Sequence, residues 1–437
     1  MFWEKRFNDF VHGIGNRADI PLRLKLWNGG EYSLGRTPKV TLTLPGAGAL
    51  RFLVPPSLDN LAEGYVRGHF DLAGKAADII EVASGLARAG VEKTGRFGRI
   101  MKAAVHTKAR DAEDIAYHYD VSNDFYRLWL DPQMVYSCAY FPSGAGDLAS
   151  AQTAKLDHIL NKIMLKPGDR LLDIGCGWGA LAVRAARRGA RVVGITLSQN
   201  QFDYARERVA REGLAGQVEI RLQDYRDLDE CFDKITSVGM FEHVGLKNLR
   251  LYFTKMRKLL KDGGLALNHG ITSTDPESGS SPYGASDFIE KYVFPHGELP
   301  HVSLVLKEVE AAGLEPLDVE SLKRHYHRTL QIWAENYETN TQAIKREVPE
   351  LTYRVWRVYL AGCAYAFAQH WVSIHQVLVC KAGAESYLNP TPWSRAYMYP
   401  SHEAGPVGRP SSNTAAGHSA QVLSAEHRRN PILEEGT

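Results

Sequence analysis

A chain of 437 residues, 44% hydrophobic and 23% charged, is long enough for two domains and a sizeable core. Its net charge of +2 excludes a polyelectrolyte, so any surface for an anionic partner must be local. The five cysteines (Cys138, Cys176, Cys231, Cys363, Cys380) lack a C-x-x-C spacing, which argues against a zinc knuckle or a disulfide framework and fits a reducing cytosol.

The first residues, MFWEKRFNDF, lack the apolar stretch of a signal peptide, and no run approaches about 20 uninterrupted apolar residues. A lipid substrate would therefore have to be met from the water side. Residues 1–110 read as a small α/β module. Strand-type runs occur at Leu22–Trp27, Lys39–Leu44 and Leu50–Val54, and helical periodicity follows over Ala76–Ala89. Between Arg88 and Arg110 stand seven Lys/Arg and one acid, Glu92. Such a run reads equally as a solvated linker or as a surface for anionic lipid head groups.

Residues 111–165 are dominated by YHYDVSNDFYRLWLDPQMVYSCAYF. Residues 166–385 then alternate short apolar runs with longer amphipathic ones, the pattern of a parallel sheet covered by helices. The predicted strands are Arg170–Ile174, Arg191–Ile195, Val218–Leu222, Lys234–Val238 and Leu265–His269. A late helix is expected over Leu351–Val379, with Trp356, Tyr359, Leu360, Cys363 and Phe367 at helical spacing on a core or acyl-pocket wall. The tail at 404–437, rich in Gly, Pro, Ser, Ala and His, reads as disordered.

The sharpest local motif is LLDIGCGWG, residues 171–179. A buried strand ends in Asp173 and enters G-x-G-x-G, with a helix expected from about Ala180. Glycines turn the backbone tightly and let it approach a ligand, and the helix start favours a carboxylate. Dinucleotide enzymes use a related turn, but the acid ahead of the glycines and this spacing are the form found in Rossmann-like methyltransferases. The second strand lacks the usual ribose-gripping acid. Thr196, Ser198 and Gln201 stand there as neutral hydrogen-bonding groups. After the third strand, Asp224 and Tyr225 could hold an adenine amino group and stack on its ring, or Asp224 could simply cap a helix.

Taken together, YHYDVSNDFYRLWLDP, YSCAYF, LLDIGCGWG, GITLSQNQ, SVGMFEHVG, FIEKYVFPHGELP and HYHRTLQIW resemble the cyclopropane-fatty-acyl-phospholipid synthases and the related mycolic acid cyclopropane synthases, from about Tyr117 to Lys381. LAEGYVRGHFDL is similar to the extra N-terminal domain of the phospholipid enzymes. The resemblance implies an α/β fold: a Rossmann-like class I S-adenosylmethionine methyltransferase domain over 111–390 behind an N-terminal lipid- or membrane-binding domain at 1–110. It implies methylene transfer to the cis double bond of unsaturated acyl chains in membrane phospholipids. It also implies a homodimer, and a cytoplasmic protein held peripherally at the inner membrane face.

By the same matching, Tyr136 and Ser137 touch the methionine moiety, Asp173, Gly175 and Gly177 line the cofactor, and Thr196 and Gln201 reach the ribose. The general base is implied to be a bound bicarbonate, with Cys138, Glu242, His269, Ile271 and Tyr326 around it. Hydroxyl, imidazole and backbone N–H groups can donate to a small anion, and a carboxylate beside it should have a raised pKa through like-charge repulsion. A carbocation there would need aromatic faces, for which Tyr136, Tyr140, Phe141, Phe241, Tyr292 and Phe294 are candidates.

Plainer readings stand beside these. Cys138 could be an ordinary buried thiol, Glu242-His243 a helix-start acid with a surface histidine, and Tyr326 core. No Cys/His/Asp/Glu set has metal-ligand spacing, so no metal is expected. Competing functions are methyl- or methylene-branching of the acyl chain, amine methylation of small molecules, and a non-catalytic lipid-binding protein. Nucleic-acid methylation lacks a basic groove in the catalytic half.

Overall fold

The computed structural model describes residues 11, 19–53, 57–90, 121–277, 286–293, 297–388 and 391–399. Most of the basic run between Arg88 and Arg110, the tail at 404–437 and Phe294 lie outside them.

Among its described residues the N-terminal module has the strands β1 (Leu22–Lys25), β2 (Glu31–Ser33), β3 (Val40–Thr43) and β4 (Asp71–Ala73) and the helices α1 (Leu58–Val66) and α2 (Ala76–Gly90). The strands pair in the order β2-β1-β3-β4, with β1 and β3 parallel. Alternating apolar residues put Leu22, Leu24, Val40 and Leu42 on one buried face. The run expected as a strand at Leu50–Val54 is instead the end of a 3-10 helix, Ala47–Phe52. Its apolar residues do not alternate, and Ala49, Leu50 and Leu53 reach the core from successive turns.

The larger part follows the predicted alternation closely. The helices are α3 (Asn123–Arg127), α4 (Leu148–Lys162), α5 (Ala180–Arg187), α6 (Gln199–Arg211), α7 (Leu249–Leu259), α8 (Ser286–Tyr292), α9 (Val302–Ala311), α10 (Lys323–Thr339), α11 (Thr341–Glu347) and α12 (Glu350–Ala368). The strands are β5 (Arg170–Ile174), β6 (Arg191–Thr196), β7 (Val218–Leu222), β8 (Phe232–Val238), β9 (Leu260–Ser273), β10 (Leu314–Ser321) and β11 (Val372–Lys381). They form one seven-stranded sheet, β10-β11-β9-β8-β5-β6-β7. Neighbours from β9 to β7 are parallel, whereas β11 runs antiparallel between β9 and β10.

The helix expected to run to Val379 stops at Ala368. Its apolar stripe ends at Phe367, and His370 adopts a left-handed conformation (φ 59°) that turns the chain. The following VSIHQVLVC run is rich in β-branched residues and is inserted in the sheet. Side chains start the helices where the sequence provides caps: Asp147 accepts from Ser150 N at the start of α4, and Ser198 from Gln201 N at the start of α6. The module is stitched to α12 by Arg357, which donates to the Tyr65 hydroxyl at 2.9 Å and to Gly74 O at 2.7 Å, and by Arg354, which donates to Tyr65 O at 3.0 Å. Among the described residues no helix is long and apolar enough to cross a membrane.

Candidate active site

β5 lies in mid-sheet between β6 and β8, so Leu171 to Ile174 are buried. Beyond it the chain must turn sharply to start α5. Gly175 does so at φ 75°, and an added Cβ would stand 3.1 Å from Met240 Cγ. The left-handed backbone disfavours a side chain there, and one would also press on Met240. The turn opens a cleft of about 1150 Å³, counted out to its mouth, over the ends of β5, β6 and β8. Tyr136, Ser137, Asp173, Gly175, Gly177, Thr196, Gln201, Asp224 and Tyr225, all predicted to meet the cofactor, line this one cleft.

Their chemistry is specific. Asp173 is 2% exposed and accepts from Thr236 Oγ1 at 2.9 Å, and burial pushes its carboxyl up to about 6. Thr196 Oγ1 donates to Gln201 Oε1 at 2.9 Å and accepts from Ser198 N at 3.2 Å. The neutral groups that replace a ribose acid therefore fix one another. Asp224 caps the 3-10 turn Tyr225–Asp227 through Arg226 N at 2.8 Å, and its carboxylate lines the cleft while accepting from the Arg226 guanidinium at 2.6 and 2.9 Å. The Tyr225 ring is set edge-on against Tyr252, centroids 5.4 Å apart.

The five residues matched to the anion site form a second group that adjoins this cleft without lining it. Their neighbours Ser137, Gly239, Met240 and His243 do line it. β8 ends at Val238, and Gly239 N makes the last bond to β9, on His269 O at 2.8 Å. The next amide of β9 on that side, Ile271 N, donates to Glu242 Oε1 at 2.7 Å. This N–H thus ties together two of the residues matched to the anion site, Ile271 on β9 and Glu242. Among the described residues the buried Glu242 Oε2 has no hydrogen-bond partner. Burial pushes the Glu242 carboxyl up to about 7.

His269 is 1% exposed, and burial holds its imidazole well below the ordinary range, so the ring is neutral. Gln376, its register partner on β11, donates from Nε2 to Nδ1 at 3.0 Å. With the Gln376 amide in this orientation the ring proton sits on Nε2, which is buried and has no partner among the described residues. Cys138 is fully buried, its thiol donates to Ala139 O at 3.2 Å, and burial pushes its pKa far up. It is a thiol and not a nucleophilic thiolate. Leu322 joins the group together: its carbonyl lies 3.9 Å from Cys138 Sγ and accepts from Tyr326 N, while its amide bonds Ile374, the register partner of Ile271. Tyr326 is buried among Trp333 and Phe367.

Of the aromatic candidates, Tyr136 packs among Trp129, Trp333 and Trp356 with centroids 5.3–6.2 Å away. Tyr140 is sandwiched between His158 and His325. The Phe141 amide bonds His325, and Phe241 covers Gly270 so closely that a Cβ there would stand 1.9 Å from its ring. Tyr292 belongs elsewhere: its hydroxyl donates to Glu63 of α1 at 2.7 Å, because α8 packs on the N-terminal module.

Sequence reasoning missed Gln376, Gly270 and Lys155. Lys155 lines the cleft, is 2% exposed and donates to Ser137 Oγ at 2.9 Å. The available signal was the spacing of Gln152, Lys155, His158, Ile159 and Lys162 along one side of α4, where all five are buried.

Comparison with known proteins agrees with this geometry. The profile of the family described as mycolic acid cyclopropane synthetase matches residues 106–377, and a domain of unknown function, DUF7884, matches residues 10–94. A probable fatty acid methyltransferase of Pseudomonas putida is 47% identical over 87% of this chain and 96% of its own. The cyclopropane-fatty-acyl-phospholipid synthase of Escherichia coli K12 is 42% identical over 62% of this chain and 68% of its own. The solved structure of mycolic acid cyclopropane synthase CmaA1 with SAH and CTAB is 36% identical, with a TM-score of 0.59, covering 62% of this chain and 98% of its own.

Proposed function

The chain belongs to the mycolic acid cyclopropane synthetase family, S-adenosylmethionine-dependent methyltransferases of lipid acyl chains, and from that premise we propose that it converts the cis double bond of unsaturated phospholipid acyl chains into a cyclopropane ring. The cofactor supplies an electrophilic methyl group on a sulfonium. In this reading Tyr136, Ser137 and Asp173 hold its methionine part, Gly175 and Gly177 admit it against the backbone, Thr196 and Gln201 face the ribose, and Asp224 and Tyr225 face the adenine.

Adding a methyl cation to an alkene and closing a three-membered ring releases one proton, so the site needs a proton acceptor in dry surroundings. The observation that carries the proposal is two buried atoms without partners among the described residues, Glu242 Oε2 and His269 Nε2. One is a carboxyl oxygen held near neutrality, the other a fixed N–H donor. A bicarbonate ion, which has both an O–H and anionic oxygens, fits that donor set and would supply the base. Trp333, Phe367 and Tyr326 provide aromatic faces that can tolerate positive charge without reacting with it.

The protein would act as a peripheral membrane enzyme, with residues 1–110 as the lipid-facing module and 111–390 as the catalytic domain. A homodimer would let one subunit hold the bilayer while its partner works. Methyl- or methylene-branching is the second reading, favoured by the fatty acid methyltransferase among its relatives. The test is incubation with oleoyl phospholipid vesicles and labelled S-adenosylmethionine, followed by proton NMR of the lipid. Upfield ring hydrogens support cyclopropanation, vinyl or branch-methyl signals support branching, and absence of label in the lipid would leave only lipid binding.

A further inference from the structure

Lys155 projects from the middle of α4, whose capped start and buried polar stripe hold it against the cleft wall. It is 2% exposed. Among the described residues it makes no ion pair; its one hydrogen bond is to a neutral oxygen, Ser137 Oγ at 2.9 Å. The carboxylates that face it are bonded elsewhere: Asp131 accepts from Gln133 N and Val135 N, and Asp173 from Thr236 Oγ1. A buried ammonium with only a neutral partner is costly unless an anion joins it, and this one borders an open cleft.

The hydrogen bond has a directional consequence. An ammonium can only donate, so Ser137 Oγ must be the acceptor. The serine's own proton is left to point away from Lys155, and Ser137 lines the cleft. From this geometry we infer that Lys155 is a positioning residue for the cofactor's carboxylate: it orients the Ser137 hydroxyl as a donor into the cleft and supplies the positive charge that the carboxylate completes. The inference rests on the proposed placement of the methionine part at Tyr136, Ser137 and Asp173. The other groups that face Lys155 are Asp131, Asp173, Cys138 and, from the interior strand β9, His269. Burial lowers the ammonium to about 8, so its charge is lost in mildly alkaline solution.

The test compares two probes by calorimetry on the full chain: S-adenosylhomocysteine, which carries the amino-acid end, and 5'-methylthioadenosine, which lacks it. In Lys155→Met, affinity for S-adenosylhomocysteine should fall on the order of tenfold or more while that for methylthioadenosine stays within about twofold. Ser137→Ala should show the same selectivity, and it keeps the test available if Lys155→Met fails to fold. The wild type should lose S-adenosylhomocysteine affinity above pH 8, a profile missing from Lys155→Met. Equal losses for both probes would mean a purely structural role and would overturn the inference, as would unchanged affinity in both variants. A wild-type protein that binds neither probe would refute the cofactor reading itself.

Discussion

Replacing Glu242 by Gln separates what this carboxyl does for stability from what it does for chemistry. Glu242 is buried, and its pKa rises from the 4.5 of an ordinary glutamate to about 7 because burial disfavours its charge. Between those values the folded chain binds a proton that the unfolded chain releases. The stability from this group is thus full below about pH 4.5 and is lost as pH rises through 7. At about 1.4 kcal/mol per tenfold change in proton affinity, the loss is roughly 3 kcal/mol. Glutamine has no charge to bury and keeps an oxygen for Ile271 N. The variant should therefore gain roughly 2.5 kcal/mol on the wild type between pH 5 and pH 8, read by urea unfolding at the two pH values. At the same time it should lose most turnover while still binding S-adenosylhomocysteine. Parallel pH dependences in the two proteins would refute the burial argument, and full turnover would remove Glu242 from the mechanism.

Gly270→Ala would drive a methyl into the Phe241 ring beside Glu242 and should destabilise the protein by roughly 3 kcal/mol, with turnover falling too; thermal melts and activity check this. Gln376→Leu removes the donor that holds the His269 proton on Nε2, so turnover should fall on the order of tenfold or more with cofactor affinity unchanged. Asp173 sits near 6, so S-adenosylhomocysteine affinity should weaken as pH falls from 7 to 5, and Asp173→Asn should flatten that profile.

The parallel half of the sheet was legible because its strands are buried on both faces and read as apolar runs, and because the glycine turn marks where β5 ends. The antiparallel edge was not. β10, LEPLDVES, carries a proline and three acids on a half-buried strand, and β11 follows α12 after only a short turn, so its apolar residues merged with the helical stripe. The nine residues that share the cleft were legible because they sit in contiguous motifs, most of them just beyond the ends of β5, β6 and β7. Lys155 was not, because a lysine in an amphipathic helix reads as solvent-facing until its neighbours at i−3 and i+3, Gln152 and His158, are also found buried. The bond from the Ile271 amide to Glu242 depends on where β8 stops, which no spacing in the sequence encodes.

Turnover on oleoyl phospholipid vesicles in buffer stripped of carbon dioxide, before and after adding bicarbonate, tests the paired Glu242 and His269 atoms as an anion site most directly. The account expects turnover to collapse on stripping and to return with bicarbonate in the wild type but not in Glu242→Gln. Undiminished turnover in stripped buffer would contradict it.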